Sequence, residues 1–275
     1  MTTIYRPGLY VIATPIGNLG DFSPRASETI AQARVMAAED TRVSGRLVKM
    51  AGASPRMVSL TEHNVMQRAP GLVVEALAGI VVLVSDAGTP GVADPGARLV
   101  EAMHAAGITV FAVPGPSALA AAVSVSGFDG SDVYFIGFPP RQRAARISRF
   151  MKAATVARTI VYFESPGRLS TSLRDLAEAL GDPETVVCRE LTKIHEEVVR
   201  GRASALAERF EGTLGECAVV VRSPELAQPT ADEADLVDYM AEMRRAGAQR
   251  ARAAGEASSR FGVARKDAYA AWPPA

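Results

Sequence analysis

Short apolar runs alternate along the chain with segments in which apolar residues recur at helical spacing. The runs predict strands at residues 9–13, 35–37, 57–60, 80–85, 109–113, 133–136, 159–163, 185–189 and 217–221. Helices are predicted at residues 24–32, 98–106, 119–125, 168–180 and 203–210. Strands that are apolar throughout and separated by helices are typical of a parallel sheet with both faces covered. The pattern therefore predicts an α/β fold.

Turn-forming residues divide this pattern into parts. Gly127, Asp129, Gly130 and Ser131 mark a junction between a first α/β domain, residues 1–130, and a second α/β domain, residues 131–222. The segment 223–232 contains two prolines and few apolar side chains, which is typical of a linker. Helical patterns at residues 233–245, 249–259 and 265–272 then predict a small helical tail over residues 232–275.

The composition narrows the class of protein. The 275 residues carry 30 Lys and Arg against 30 Asp and Glu, so a polyanion site must be a local patch. Hydrophobic residues make up 48% and charged residues 22%, which excludes a disordered chain, a collagen or a coiled coil. Cys188 and Cys217 lie in apolar runs and build no disulfide framework. Without a leader-like start or a bilayer-length apolar stretch, the sequence predicts a cytoplasmic protein with no membrane partner.

The loops after the strands are the candidate site, because ligands of open α/β sheets lie beyond the carboxyl ends of the strands. Asp86 follows one strand and is flanked by Gly88 and Gly91, which allow close approach to the backbone. Its carboxylate is suited to accept from an amine or hydroxyl; the alternative is a turn that caps a helix. Ser117 begins a small-residue helix, either as its N-cap or by offering backbone N–H groups to a ligand. The loop at 14–21 has neither the dinucleotide nor the P-loop glycine spacing.

Several segments, taken in order, carry a family resemblance. They are LYVIATPIGNLGD at 9–21, AAEDTRVSGRLV at 37–48, LTEHN at 60–64, VSDAGTPGVADPG at 84–96, VPGPSA at 113–118, FIGFPP at 135–140, YFESPGR at 162–168 and RELTKIHEE at 189–197. Over about residues 9–221 the chain resembles the tetrapyrrole methylase-like class of S-adenosylmethionine-dependent methyltransferases. Within that class it resembles the branch that methylates ribose 2′-hydroxyl groups of small-subunit ribosomal RNA.

This resemblance implies two α/β domains, a methyl donor in the cleft between them and a homodimer. The family positions implied to contact S-adenosylmethionine are Pro15, Asp86, Thr89, Ser117 and Ala118 from the first domain and Phe163, Thr192 and Ala218 from the second. The residues themselves support this only for the first domain, where small-residue loops accompany a carboxylate. For the second domain the resemblance alone carries the expectation.

Methylation of a ribose hydroxyl requires removal of a proton of very high pKa, and the sequence offers several candidate bases. Glu62, His63 and His195 are the predicted catalytic residues. The other carboxylate and amine candidates are Glu39, Asp40, Glu164, Glu190, Lys193 and Glu196, and the spacing does not choose among them. A histidine at a strand end is more often a hydrogen-bonded structural residue than a base. We predict no metal site, because Val199 stands where an H-E-x-x-H motif needs its second histidine.

One residue departs from the family pattern. The family sequence ESPHR reads Glu164-Ser165-Pro166-Gly167-Arg168 here, so glycine replaces a histidine. A mechanism that requires that histidine is therefore weakened.

Contact with RNA must come from local charge. Residues 133–163 contain six basic and no acidic side chains, and on a helix Arg146, Arg149 and Lys152 oppose an apolar stripe of Ile147, Phe150, Met151 and Ala154. Arg141, Arg143, Arg146, Arg149 and Lys152 are therefore the predicted RNA-binding residues; the alternative is an ordinary solvated helix face. The segment 244–266 holds seven basic residues and only Glu256, and its helices resemble a helix-turn-helix.

Together these features predict an enzyme that methylates the ribose 2′-oxygen of a small-subunit (16S) ribosomal RNA cytidine in the decoding region, as the resemblance implies. The first alternative is a methylase of a small tetrapyrrole precursor, which needs neither basic stretch. The second is a ribosome-assembly factor that binds RNA without catalysis, which would not bind the donor.

Overall fold

The computed structural model describes residues 5–94, 96–224 and 233–273, and the chain divides after Arg222 into two compact units. The first unit contains two five-stranded sheets. The second contains the described helices of the tail. No helix in the described parts of the chain is long and apolar enough to cross a membrane.

The first sheet is entirely parallel, as its apolar strands predict. Its strands are β1 (Gly8–Ile12), β2 (Val35–Ala38), β3 (Arg56–Ser59), β4 (Ile80–Val84) and β5 (Val110–Val113), in the order β3-β2-β4-β1-β5. The helices between them are α1 (Pro24–Ala31), α2 (Thr41–Met50), α3 (Val65–Ala78) and α4 (Gly96–Ala105). Separate apolar clusters cover the two faces, so every residue of β4 is buried.

The second sheet is mixed. Its strands are β6 (Val133–Phe135), β7 (Thr159–Glu164), β8 (Glu184–Arg189), β9 (Glu197–Arg202) and β10 (Cys217–Arg222), in the order β6-β7-β10-β8-β9. Only β6 and β7 pair in parallel; the other neighbours are antiparallel. Helices α6 (Arg143–Ala154), α7 (Pro166–Leu180) and α8 (Ala203–Arg209) cover one face.

Helix α5 (Ala118–Ser126) covers the other face of the second sheet. Its Ala122 packs with Val186 and Val220. The chain therefore reaches the second sheet before the junction predicted at residue 130, and that domain boundary stays a prediction.

Three elements of the structure are not predicted by the sequence pattern. Helix α3 contains Pro70, which interrupts the expected helical sequence, but Val65, Ala69, Leu72 and Ala76 still share one buried face. Helix α2 buries only Ser44 and Leu47, which leaves a weak apolar signal. Strand β9 is an edge strand with half-buried and exposed residues in alternation, and its charged residues hide the strand pattern.

The tail folds around its own small core. Its helices are α9 (Glu233–Arg245), α10 (Arg250–Phe261) and α11 (Arg265–Ala270), close to the predicted ranges. Leu236, Met240, Ala254 and Ala268 are buried in this core. The predicted linker lies mostly outside the described residues.

Two of the tail's arginines lie against aromatic rings of the same unit. The guanidinium of Arg250 lies 4.1 Å from the ring centre of Tyr269, and that of Arg260 lies 5.0 Å from the ring centre of Tyr239. Both arginines therefore make cation–π contacts within the tail in addition to contributing positive charge to its surface. The predicted helix-turn-helix contact with RNA remains a prediction.

The predicted role of Arg146 in RNA contact is wrong, because its side chain is buried. Arg146 is 4% exposed; its Nε donates to Oδ2 of Asp175 at 2.8 Å, and its Nη2 bonds the same oxygen. The buried stripe of α6 is Arg146, Phe150, Ala153 and Ala154, whereas the predicted stripe residue Met151 is 54% exposed. A charge expected to face solvent is neutralised by a carboxylate of α7.

We expect Asp175→Ala to lower the free energy of unfolding by about 3–5 kcal/mol, because it leaves Arg146 buried without its counter-charge. Glu178→Ala is the matched control, since it removes an exposed acidic partner of Arg143 on the same helix, and should cost no more than about 1 kcal/mol. Urea denaturation followed by circular dichroism measures both. Equal losses in the two variants would contradict a structural role for the buried pair.

Candidate active site

The carboxyl ends of the first sheet and one end of the second sheet enclose a cavity of about 540 Å³, here called the cleft. Its walls come from the loops after β1, β2, β4, β5 and β6 and from β7, β8, β10 and their adjoining loops. The lining residues are Ile16, Glu39, Ser85, Asp86, Ala87, Gly88, Thr89, Val92, Ala93, Asp94, Ser117, Ala118, Phe138, Phe163, Glu164, Ser165, Pro166, Cys188, Leu191, Glu216, Cys217 and Ala218. This volume lies within the range of small-molecule sites.

The loop after β4 forms the first wall through tight backbone contacts. Thr14 and Gly88 form an isolated bridge, in which each N–H donates to the other's carbonyl at 2.9 and 3.1 Å. The backbone of Gly88 has a φ of 79°, which favours glycine. The hydroxyl of Thr89 donates to the carbonyl of Pro116 at 3.2 Å and ties this loop to the loop after β5. The wall is therefore held in place before a ligand arrives.

Three carboxylates from this side line the cleft. Oδ1 of Asp86 accepts from the backbone N–H of Asp40 at 2.9 Å, while Oδ1 of Asp94 accepts from the N–H groups of Gly91 and Gly96 at 2.8 Å. Partial loss of water around Glu39 raises the pKa of its carboxyl, and the charges of Asp86 and Asp94 raise it further. The cleft is therefore electronegative on this wall.

The second sheet contributes an apolar wall. The ring of Phe163 packs edge-on against Phe135 and Phe138, with centroid distances of 4.9 and 5.8 Å. Cys188 and Cys217 also line the cleft, and burial raises the pKa of their thiols to about 12 and about 11. Both thiols are therefore protonated near neutral pH, and their side chains act as apolar lining.

Glu164 is a buried carboxylate at the end of β7. Its side chain is fully buried; Oε1 accepts from the N–H of Ser165 at 2.9 Å, and Oε2 lies 3.3 Å from Nη2 of Arg168 as an ion pair. This carboxylate lies beneath the cleft surface and is shielded from solvent. It is suited to hold neighbouring groups in place.

Most of the predicted donor-contacting residues meet at the cleft. Asp86, Thr89, Ser117, Ala118, Phe163 and Ala218 line it, whereas Pro15 and Thr192 do not. Thr192 lies beside it: its backbone has a φ of 68°, and its Oγ1 is buried without a hydrogen-bond partner. The roles of all eight residues stay predictions.

The three predicted catalytic residues lie elsewhere. Glu62, His63 and His195 are exposed and are not part of the cleft lining, and Glu62 lies 3.7 Å from Arg98 in an ion pair. Among the other candidate bases, Glu39 and Glu164 line the cleft. Phe138, Cys188 and Cys217 also line the cleft but are not among the predicted site residues. Their sequence signals were a position within or after a strand and, for Phe138, its place in the FIGFPP segment.

The remaining predicted RNA contacts lie on and next to α6. Arg141 and Lys152 are exposed, while the guanidinium of Arg149 lies 5.3 Å from the ring centre of Tyr134. Arg143 pairs with Asp175 and Glu178 of α7, so acids distant in sequence compensate part of the basic stretch. Gly167, which replaces the family histidine, is exposed and has open space around the position of a Cβ atom.

Comparisons with known proteins agree with this architecture. Residues 8–207 match the family of tetrapyrrole (corrin/porphyrin) methylases. The crystal structure of the methyltransferase CobJ has a TM-score of 0.60 at 19% identity and covers 79% of this chain and 95% of that one. Uroporphyrin-III C-methyltransferase from Thermus thermophilus, complexed with S-adenosylhomocysteine, has a TM-score of 0.56 at 20% identity, over 78% of this chain and 96% of that one. The chain therefore belongs to the tetrapyrrole methylase family and is a methyltransferase whose methyl donor is S-adenosylmethionine.

Three curated relatives share the name ribosomal RNA small subunit methyltransferase I. The relative from Mesorhizobium japonicum is 40% identical over 268 residues, which span 96% of this chain and 90% of that protein. The relative from Mycobacterium tuberculosis strain CDC 1551 is 44% identical over 86% of this chain and 83% of that protein. The relative from Thermotoga maritima is 42% identical over 79% of this chain and 99% of that protein.

The residues of the cleft fit S-adenosylmethionine. The donor carries a cationic sulfonium, an amino group and ribose hydroxyls, for which Asp86 and the neighbouring carboxylates are acceptors of suitable charge. Ala87, Gly88, Ala118 and Ala218 are small lining residues that leave room for the nucleoside. Within the described residues, no group of three His, Cys, Asp or Glu side chains is placed to hold a metal ion.

We expect Gly17→Ala to weaken donor binding, because Gly17 lies where the loop after β1 meets the loop after β8. A Cβ atom there would lie 2.5 Å from Cγ of Lys193, 2.8 Å from Oγ1 of Thr192 and 3.1 Å from the carbonyl oxygen of Leu191. The clash must displace the loop after β8, and a displaced loop should raise the donor Kd by roughly fivefold or more, about 1 kcal/mol of binding free energy. Calorimetric titration measures the Kd, with Gly167→Ala as the control because a methyl group meets nothing there. A normal Kd for Gly17→Ala would mean that this loop contact does not shape the site.

Proposed function

We propose that the enzyme transfers the methyl group of S-adenosylmethionine to the ribose 2′-oxygen of a cytidine in the decoding region of 16S ribosomal RNA. The observation that carries this proposal is the 40–44% identity to proteins named ribosomal RNA small subunit methyltransferase I. The match to the first of them spans 96% of this chain, so it extends over much of the tail as well as both sheets.

The cleft holds the donor. When bound, S-adenosylmethionine supplies an electrophilic methyl group on a positively charged sulfur. Asp86 and Thr89 bind polar groups of the donor, Ser117 offers the amino end of α5, and Phe163 with Ala118 and Ala218 packs against its apolar parts. Pro15 and Thr192 support this site from its edge. The carboxylate wall favours the cationic donor over the neutral thioether product.

Glu39 is the best-placed proton acceptor for the ribose hydroxyl. It follows β2, lines the cleft and keeps its side chain open to solvent, so an acceptor can reach it. A raised pKa makes a carboxylate a stronger base at neutral pH. Glu62, His63 and His195 are exposed outside the cleft lining, so each could serve as the base only for an acceptor held beyond the cleft, whereas Glu39 lies within it. Glu164 is shielded and serves as an anchor.

Basic residues near α6 hold RNA phosphates. Arg141 and Lys152 are exposed, and Arg149 extends the same surface, while Arg143 shares its charge with two acids of α7. The tail adds a second basic surface at the start of α11, with Arg265 and Lys266. The enzyme acts as a homodimer in the cytoplasm, where small ribosomal subunits are found.

The expected result for Asp86→Ala is a rise of roughly 10- to 150-fold in the donor Kd, because a charged hydrogen-bond acceptor is lost. Calorimetry with S-adenosylmethionine measures this. Transfer of labelled methyl from the same preparation to 30S subunits, followed by nuclease digestion, locates the label. Label in a 2′-O-methylcytidine supports the proposal. Donor binding with unlabelled RNA would contradict it and favour a small-molecule acceptor, and no donor binding would favour a non-catalytic factor.

Replacing Glu39 by glutamine should lower kcat by roughly 10²- to 10⁴-fold, because a general base is removed, and should raise the donor Kd much less than Asp86→Ala does. Asp94→Asn keeps an oxygen for the N–H groups of Gly91 and Gly96 but removes a negative charge near Glu39. The pKa of Glu39 should then fall. Since the base works deprotonated, the acid limb of the pH profile of kcat should shift to lower pH. An unmoved limb in Asp94→Asn, or full activity of Glu39→Gln, would exclude Glu39 as the base.

A further inference from the structure

Phe138 is an aromatic side chain displayed at the cleft. It is 57% exposed although it lines the cavity, and its ring packs edge-on against Phe163 with 5.8 Å between centroids. Exposure of a large aromatic ring to water is unfavourable, and contact with a ligand removes the ring surface from water. Phe138 lies in none of the predicted site sets.

The loop that carries Phe138 is held rigidly. Gly137 has a φ of 67°, and its carbonyl accepts from the N–H of Phe163 at 3.0 Å. Pro139 and Pro140 follow and fix two further φ angles. Phe138 is therefore presented on a backbone with few alternative conformations.

Two arginines bind this loop from beneath. Nη1 of Arg146 donates to the carbonyls of Pro140 and Arg141 at 3.0 and 2.9 Å. Nη2 of Arg168 donates to the carbonyls of Pro139 and Pro140 at 2.8 and 3.1 Å. Three consecutive carbonyls are thus fixed by guanidinium groups from two different helices.

Each arginine is paired with a buried carboxylate. Asp175 binds Arg146, and Glu164 binds Arg168, with side-chain exposures of 6% and 0% for the two carboxylates. Buried ion pairs contribute little net stability, because the loss of water offsets the attraction between the charges. Their consequence here is positional: both pairs direct a guanidinium at the three backbone carbonyls that follow Phe138.

We propose that Phe138 is the stacking platform for the base of the acceptor nucleotide, and that Arg146 and Arg168 are positioning residues that hold this platform. The proposal rests on the proposed function, because it needs an RNA acceptor. A ribose within an RNA strand reaches a cleft only if its nucleotide is drawn out of its stack, and proteins commonly receive such bases on aromatic rings. Arg141, three residues after Phe138, is exposed and provides a cation for the adjoining phosphate.

The test compares Phe138→Leu, which keeps an apolar side chain without the ring, with Phe138→Trp, which keeps a ring. Loss of one stacked base should lower kcat/KM for 30S subunits by roughly 5- to 150-fold in Phe138→Leu, mainly through KM. Phe138→Trp should retain most of the activity. The donor Kd, measured by calorimetry, should change less than about twofold in both variants. Val156→Ala is the control, because Val156 is 55% exposed and is not part of the cleft lining.

A double-mutant cycle tests the positioning role. Arg168→Lys keeps a positive charge near Glu164, but it carries its ammonium on a shorter side chain and lacks Nη2, the atom that donates to both carbonyls. If Arg168 acts through Phe138, Arg168→Lys should raise the KM for subunits in the wild type but have almost no further effect in Phe138→Leu. A purely structural role would give equal effects in both backgrounds.

The outcomes separate the two proposals. An equal fall in donor affinity and activity in Phe138→Leu would assign Phe138 to the donor and overturn the platform. Unchanged kcat/KM in Phe138→Leu, with the wild type methylating 30S subunits, would overturn the platform alone. If the wild type transfers no methyl group to the subunits while it binds the donor, the proposed function fails and the platform proposal fails with it.

Discussion

The common direction of the five strands in the first sheet is the constraint on which the site depends. Parallel strands all end at one edge, so four loops that are far apart in sequence meet there. The loops after β2, β4 and β5 contribute small residues or carboxylates, the loop after β1 contributes Ile16, and the backbone bridge between Thr14 and Gly88 holds two of the four loops together. The cleft follows from this convergence, and the second sheet completes it with an apolar wall.

Charge is distributed unequally around the cleft, and each part has a physical cause. Carboxylates that follow β2 and β4 share one wall, where partial burial raises the pKa of Glu39 and the charges of Asp86 and Asp94 raise it further. Arg146 and Arg168 contact the loop after β6. Buried carboxylates neutralise the two guanidinium groups, which also donate hydrogen bonds to backbone carbonyls of the loop. The carboxylate wall is suited to a cationic donor. The hydrogen bonds from the arginines give the loop after β6 a fixed backbone.

The resemblance to a methylase family covered most of the chain, and the relatives at 40–44% identity confirm it. The strands of the first sheet, the small-residue loops and Asp86 were predictable, because apolar runs and glycine-rich turns are local features of sequence. Strand β9 and helix α3 were not. In β9, charged residues on an edge strand hide the alternation of buried and exposed positions. In α3, Pro70 interrupts the helical pattern although the buried face of the helix still packs.

The sequence by itself determined the fold class, the strands of the first sheet and the small-residue loops that line the cleft, since hydrophobic period and turn chemistry act over short distances. Only the tertiary structure decided which charges are free. Arg146 looked like a solvated cation because its partner, Asp175, is 29 residues away and reaches it through the packing of α6 on α7. Likewise, Glu39 and Phe138 line a common cleft although their positions in the chain are 99 residues apart. Long-range pairing of this kind depends on how helices pack against sheets, and no local pattern encodes it.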